Sequence, residues 1–443
     1  MKRIFFLFFS LTVFSLYGQD KLDILVDSSP SAIGIDSVLL YQNIDKVMQE
    51  ALDSAAFPGG VVLLAKDGKV FFEKAYGFHT YDSLRRVKTT DIYDLASVTK
   101  TTAATLAMMK FYENGDFDLE KTMGEYWPDI AKRSKQDLIM RDVLAHQAGL
   151  KAWIPYWSES QRRSGKYRWN TVKYDSSSKF PNKISEAGLW LYRDYKEKKI
   201  YRMISKTKVS EVKKYLYSGL PFYLIPEYVE RVSDKSFDQY LYDQFYKPLG
   251  AETLVFKAGE SFPLERIVPT EVDTFFRMQT LHGVVHDEGA AMMLGVSGNA
   301  GLFSNARDLA KVYQMLLNDG IYNGKRYLEA STIREFTRVQ FPENENRRGL
   351  GFDKPLLEYD FDASSVAREA SPASYGHSGY TGTLVWADPE NDLLFIFLSN
   401  RVHPTRANRK IYTMGVRPAI HNAVYELLKA DEGKYAIGYR GED

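Results

Sequence analysis

Hydrophobic and polar positions divide the chain into elements before any chemistry is considered. Ile44, Val47, Met48, Ala51 and Leu52 recur at helical spacing, which predicts an amphipathic helix over residues 37–55. Phe57-Pro58-Gly59-Gly60 ends it. Val61 to Ala65 and Lys69 to Tyr76 follow as β-rich runs on either side of Asp67-Gly68. A two-residue Asp-Gly connection between such runs signals a hairpin, because both turn positions need positive φ. Toward the other end, Gly382 to Ala387 and Leu393 to Ser399 are strand-like runs joined by Asp388-Pro389-Glu390-Asn391-Asp392. Residues 407–430 read as a second helix, with Ile411, Met414, Ala419, Ile420, Val424, Leu427 and Leu428 on its apolar side.

Between these β-rich ends lies a long, mostly helical middle. Sequential strands joined by tight turns argue for antiparallel pairing. The expected fold is α/β in the α+β sense: an antiparallel sheet built from both chain ends, flanked by the terminal helices, with a mostly helical domain inserted. The expected boundaries are 36–100 and 296–435 for the sheet domain and 101–295 for the helical domain. Residues 151–215 stand out within the latter. They hold four of the six tryptophans (Trp153, Trp157, Trp169, Trp190) and 17 Lys and Arg against 6 Asp and Glu, a local excess of +11. Two readings stay open for this segment. It is a solvated insertion whose aromatics pack, or it is a wall of a substrate cleft.

The first residues carry a different pattern. Lys2 and Arg3 precede an apolar run from Ile4 to Leu16, and Gly18 follows as a small residue. That is the layout of a cleaved signal peptide over residues 1–18, and the run is short of the roughly 20 residues that span a bilayer. The expected location is the periplasm or the outside of the cell. No second long apolar run occurs, so no integral membrane segment is expected after cleavage.

Composition narrows the field only slightly. The chain has 443 residues, a formal charge of +1 and no cysteine. The charge balance argues against nucleic acid as a partner. The lack of cysteine excludes thiol catalysis, disulfides and a lipid anchor on cysteine. A small-molecule or peptide substrate fits these bounds, and the oligomeric state is left open.

The chemistry begins at Asp94-Leu95-Ala96-Ser97-Val98-Thr99-Lys100, which runs into a helix-compatible stretch ending at Gly115. Serine and lysine three apart lie on one helical face. A serine hydroxyl is a poor nucleophile until a base takes its proton, and a buried lysine can be that base. A helix start at Ser97 would add free N–H groups that favour developing negative charge. Downstream stand Tyr217-Ser218-Gly219 and Gly376-His377-Ser378-Gly379-Tyr380-Thr381-Gly382-Thr383. Leu144-Ala145-His146-Gln147-Ala148-Gly149-Leu150 lies between Lys100 and Tyr217, and Val296-Ser297-Gly298-Asn299-Ala300-Gly301-Leu302-Phe303-Ser304 lies between Gly219 and Gly376. His282 and His286 sit one helical turn apart near Asp287 and Glu288. A serine mechanism needs no metal, so neither a metal nor another cofactor is expected.

In order and spacing, these segments resemble the superfamily of penicillin-binding proteins, class C β-lactamases, D,D-carboxypeptidases and family VIII esterases. There, Ser-x-x-Lys is joined by Tyr-x-Asn and by a Lys/His-x-Gly motif. The resemblance covers roughly residues 42–430. It implies a β-lactamase/transpeptidase-like fold, with Ser97 as acylated nucleophile, Lys100 as its base and Tyr217 as proton relay. It also implies an oxyanion hole from the N–H groups of Ser97 and Tyr380, and a substrate-binding strand carrying His377, Ser378, Gly379 and Tyr380. His146 falls in a turn and is expected to be structural. Two positions depart from the pattern. Gly219 stands where an amide or acid is usual, which removes a side chain that would hold Lys100 and the substrate. His377 stands where β-lactamases carry lysine. The implied activity is a serine hydrolase acting on an ester or amide, including D-amino-acid-containing wall peptides. A catalytically weak binding protein and a β-lactamase remain the alternatives.

Overall fold

A computed structural model describes residues 23–438. The expected signal peptide, residues 1–18, lies outside the described residues. Among those described, no helix is long and apolar enough to cross a membrane.

The two sequence runs around Asp67-Gly68 form strands β2 (Gly59–Lys66) and β3 (Lys69–Gly77). Asp67 and Gly68 take φ of 52° and 74°, the double positive turn that the pair predicts. Both chain ends then meet in one six-stranded sheet. Its other members are β1 (Val26–Asp27), β4 (Tyr375–Ser378), β5 (Leu384–Asp388) and β6 (Leu393–Ser399), in the order β1-β3-β2-β6-β5-β4. Pairing is antiparallel except at one edge, where β1 runs parallel to β3. A two-residue strand carries no alternation to read, so the sequence is silent about this exception.

The central strands are apolar on both faces because both faces are covered. Val62 and Leu64 point to a cluster with Leu40, Ile44 and Met48 of helix α1 (Ser37–Asp53) and with Ile420 and Val424 of the C-terminal helix. Val61, Leu63 and Ala65 point the other way, into the large core shared with the helical middle. Each of the fully buried Val, Leu, Ile and Met side chains contributes roughly 1.5–3 kcal/mol. The middle of the chain supplies α2 (Leu106–Asn114), α3 (Ile225–Ser233) and α4 (Ala306–Leu317). The C-terminal helix, α5 (Val416–Gly438), follows a separate turn at Lys410–Thr413. The break falls at Gly415, φ 56°, so the run read as one helix over 407–430 is two.

The middle is less purely helical than its sequence suggests. Tyr93–Asp94, Leu302–Ser304 and Val255–Phe256 form one small sheet. Within residues 151–215, Val172–Lys173, Asn182–Ser185 and Leu189–Leu191 form another. Strands this short leave almost no period-2 signature.

Candidate active site

Ser97 follows a strained residue. Ala96 has φ 46°, a conformation that side chains rarely adopt, and its N–H donates to Asp94 Oδ1 at 2.8 Å. Asp94 Oδ2 accepts a second bond from the His286 N–H at 2.6 Å. Burial raises the Asp94 carboxyl above its ordinary pKa. The buried side chain thus braces the turn that aims Ser97. Ser97 is the middle residue of a tight turn (Ala96–Val98) that opens into a wide π-helical turn over Lys100–Thr105 and then α2. Wide turns of this type recur at functional sites.

The i, i+3 spacing delivers the contact it promises. Lys100 Nζ lies 2.9 Å from Ser97 Oγ and donates to the Asn299 carbonyl at 2.8 Å. Lys100 is 3% exposed, while Ser97 is half-buried and reachable. Among the described residues, no carboxylate pairs with Lys100. Asn299 is itself fixed: its side chain reaches Tyr223, Asp287 and Ser297. Lys100 is therefore held by a backbone carbonyl from a distant segment. The missing side chain at Gly219 does not leave it loose.

Tyr217 stands over the pair. Lys100 Nζ is 5.4 Å from its ring centre, and the rings of His146 and His377 lie at 4.7 Å and 5.9 Å. Its hydroxyl is buried and has no partner among the described residues. His146 takes a structural part in the arrangement. Its Nδ1 accepts from Ser218 N–H at 3.2 Å, and its carbonyl accepts from Leu216 N–H at 2.9 Å, so it clamps the turn on both sides of Tyr217.

The third motif arrives on β4. Gly379 packs so tightly on Leu95 that an added Cβ would meet the Leu95 carbonyl at 2.4 Å. Thr381 and Thr383 hydroxyls donate to the carbonyls of Asp94 and Leu95 at 2.7 Å and 3.0 Å. These contacts staple the loop bearing Ser378, Gly379 and Tyr380 against the segment leading into Ser97. Tyr380 is half exposed, with the Arg401 guanidinium 4.4 Å from its ring centre. His377 Nδ1 bonds the Ser378 carbonyl at 2.7 Å, which assigns the proton to Nδ1 and leaves Nε2 as a buried acceptor without a partner among the described residues. Burial, then the charges of Arg348 and Lys100, push the His377 pKa down to about 3. The ring is neutral and does not replace the positive charge of a lysine.

Arg348 went unnoticed in the sequence. It is buried, stacks 5.1 Å from the Tyr217 ring centre, bonds Tyr215 at 3.2 Å and pairs with Asp353 at 3.2 Å. Nothing in Arg347-Arg348-Gly349 marks it as a site residue. His282 and His286 part company in space. The first contacts the carbonyls of Leu264 and Ile267, and the second contacts Glu271. The aromatic, basic segment borders this site at its root. Ser218 Oγ donates to the Lys151 carbonyl and Gly219 N–H to the Ala152 carbonyl, which seats half-exposed Trp153 beside the Tyr217 turn.

A serine, a buried lysine and a phenol gathered at the edge of a mixed sheet define a serine hydrolase. The chain matches the family described as "Beta-lactamase" over residues 44–414. It is 31% identical over 460 residues to a Salmonella paratyphi A (strain ATCC 9150 / SARB42) protein named "Putative D-alanyl-D-alanine carboxypeptidase", spanning 95% of this chain and 97% of that relative. The chain belongs to the beta-lactamase family. In fold it resembles the octameric penicillin-binding protein homologue from Pyrococcus abyssi, with a TM-score of 0.61, 18% identity and coverage of 88% and 77%. A penicillin-binding protein homologue from Caulobacter crescentus gives 0.59, 17% identity, 88% and 97%. A family VIII carboxylesterase gives 0.59, 20% identity, 88% and 97%.

Proposed function

We propose that this protein is an exported acyl hydrolase that works through an acyl-enzyme on Ser97. The observation that carries the reading is the 2.9 Å contact between Lys100 Nζ and Ser97 Oγ, on a lysine that pairs with no carboxylate among the described residues. Lys100 takes the Ser97 proton as Oγ attacks the carbonyl carbon. The N–H groups of Ser97 and Tyr380 hold the resulting oxyanion. Tyr217 passes the proton to the departing amine or alcohol, and the C–N or C–O bond breaks. Water then enters, loses a proton to the same base, and releases the acid while Ser97 recovers its proton. His377, neutral, lines the opposite wall.

The substrate class is a small ester or, preferentially, a cell-wall peptide ending in D-amino acids. The name of the Salmonella relative and the expected signal peptide support the wall peptide. The domain division at residues 36–100, 101–295 and 296–435 belongs to the same reading, as does cleavage after Gly18. Amino-terminal sequencing of protein from the native host should begin near Gln19 or Asp20.

Two reagents test the chemistry. A fluorescent fluorophosphonate should label the wild type and not Ser97→Ala. A fluorescent penicillin should label more weakly. Hydrolysis of p-nitrophenyl acetate by folded Ser97→Ala within about threefold of wild type would sink the assignment, since nucleophile loss costs orders of magnitude.

A further inference from the structure

One lobe of the aromatic insertion carries charge that the fold leaves unpaired. Arg162, Arg163, Lys166, Arg168, Lys173 and Lys179 lie within residues 160–180, and Asp175 is the one acid of that stretch. All six cations are exposed, and none forms an ion pair among the described residues. Cations farther along the insertion do pair, Lys183 with Glu186 and Lys198 with Asp194. The uncompensated charge is felt beyond the lobe. Burial, then the positive charges of Arg202 and Arg168, lower the pKa of Lys199 on the helical segment Lys196–Tyr201.

The whole chain has a formal charge of only +1, so the remainder outside this lobe is net negative. An anionic surface would attract the lobe and repel the rest, which orients the molecule.

Two large rings stand among these cations in full reach of solvent. Trp169 is 69% exposed and Tyr174 68%. Trp169 sits in a turn closed by the Thr171 N–H on the Arg168 carbonyl at 3.0 Å. The Tyr174 ring lies 6.0 Å from that of Tyr167, whose hydroxyl donates to the Phe276 carbonyl at 2.9 Å. On the adjoining small sheet, Lys173 and Lys183 pair in register with Trp190 between them. The neighbouring row, Val172 and Leu191, is buried, so Lys173 and Lys183 belong to the outer face.

Cations alone would suit any polyanion. The rings decide between the candidates. A soluble chain of phosphates or carboxylates gives an exposed indole nothing to bury against. The headgroup region of a bilayer takes an apolar ring and its polar edge together, and takes cations at the same depth.

We propose that residues 160–180 dock this protein on a bilayer surface that carries anionic lipid. The proposal does not depend on the acyl group used at Ser97, and it gives the insertion a role besides bordering the active site.

The test is cosedimentation of the full chain with vesicles of phosphatidylcholine alone or of phosphatidylcholine with phosphatidylglycerol. In about 0.1 M salt, most of the protein should pellet with about 1 mM of the anionic lipid and much less with the neutral one, since each cation near the surface is worth about fivefold. Salt at about 0.5 M should abolish the difference. The apolar run Ile4 to Leu16 meets both vesicle types alike and cannot produce it. Arg162→Glu, Arg163→Glu and Lys166→Glu together should weaken binding about a hundredfold or more. Trp169→Ala should weaken it about fivefold. The replaced side chains are exposed, so both variants should fold, and their p-nitrophenyl acetate hydrolysis without lipid should match the wild type. Equal pelleting with both vesicle types, or none with either, would overturn the proposal. So would unchanged binding in the charge-reversed protein. A Trp169→Ala protein that binds as the wild type does would also overturn it, and would assign the lobe to soluble polyanions.

Discussion

The guanidinium of Arg348 lies 5.1 Å from the centre of the Tyr217 ring. The third motif carries a neutral His377 where β-lactamases carry lysine. The positive charges close to the Tyr217 ring are thus Lys100 and Arg348. Replacing Arg348 with methionine should lower kcat/KM for p-nitrophenyl acetate by about tenfold to a hundredfold, the worth of ~1.5–3 kcal/mol for a charged contact. Lysine should restore part of it, not all, because the planar fork also bonds Tyr215. Arg347 also pairs with Asp353, at 2.9 Å, so Asp353 keeps a partner and the fold should survive. Activity within about twofold of wild type in a folded Arg348→Met would remove Arg348 from the site.

Lys100 is held between Ser97 Oγ and the Asn299 carbonyl. Lys100→Met should lower kcat by about 10³-fold, within the range for loss of a general base. It should also cost stability, because the Asn299 carbonyl loses its donor, by roughly 1–3 kcal/mol. Stopped-flow acylation and thermal unfolding separate the two effects. A Lys100→Met enzyme that acylates at the wild-type rate would require a different base.

Gly219 faces open space: an added Cβ would meet no atom within 4 Å. Gly219→Asn should therefore fold like the wild type and place an amide beside Tyr217. Slow β-lactam turnover is expected of the natural protein, well below the ~10⁸ M⁻¹s⁻¹ ceiling. The asparagine variant should acylate faster with a fluorescent penicillin. Wild-type nitrocefin hydrolysis near that ceiling would contradict the first expectation, and an unchanged acylation rate the second.

His421 is buried, stacks on Phe395 at 4.7 Å and accepts from Ala367 N–H through Nδ1 at 3.2 Å. Burial pushes its pKa down to about 3. In the unfolded chain it titrates near 6.5, so below that value the unfolded state binds a proton that the native state refuses. Its stabilising contribution is present above about pH 6.5 and is lost as pH falls toward 3. Between pH 7 and pH 5, before carboxylates matter, this group alone should cost about 2 kcal/mol. In His421→Asn, whose Oδ1 can take the Ala367 N–H, the pH slope of urea unfolding should shrink by that amount. Ester hydrolysis should stay unchanged. Identical slopes in both proteins would rule out a neutral buried imidazole.

The basic segment 151–215 joins the site at Lys151-Ala152. Its field should steer anionic substrates and fade with salt. Between about 20 mM and about 500 mM salt the Debye length shrinks from roughly 20 Å to roughly 4 Å. Over that range kcat/KM for an acidic peptide should fall several-fold, while that for a neutral ester barely moves. Equal salt dependence for both would defeat the steering.

What could be read from the chain alone was what neighbours in sequence decide. Asp67-Gly68 specifies its own turn because both positions need positive φ, and the flanking apolar runs can only be strands. Ser97 and Lys100 meet because i and i+3 share a helical face, whatever the rest of the chain does. The family resemblance added Tyr217 and the β4 strand, whose flanking residues follow a fixed pattern. Tertiary structure decided the rest. Asn299 holds Lys100 across 199 residues, through a carbonyl that every residue possesses and no motif can mark. Arg348 reaches Tyr217 from a loop whose sequence looks like ordinary surface charge. The neutrality of His377 depends on burial and on Arg348 and Lys100, none of which is local to it. The strands in residues 151–215 are two to four residues long, and partners elsewhere in the segment, not periodicity, make them strands. Spacing along the chain sets geometry over one or two turns. Beyond that, burial and distant partners set the electrostatics, and these exist only once the chain has folded.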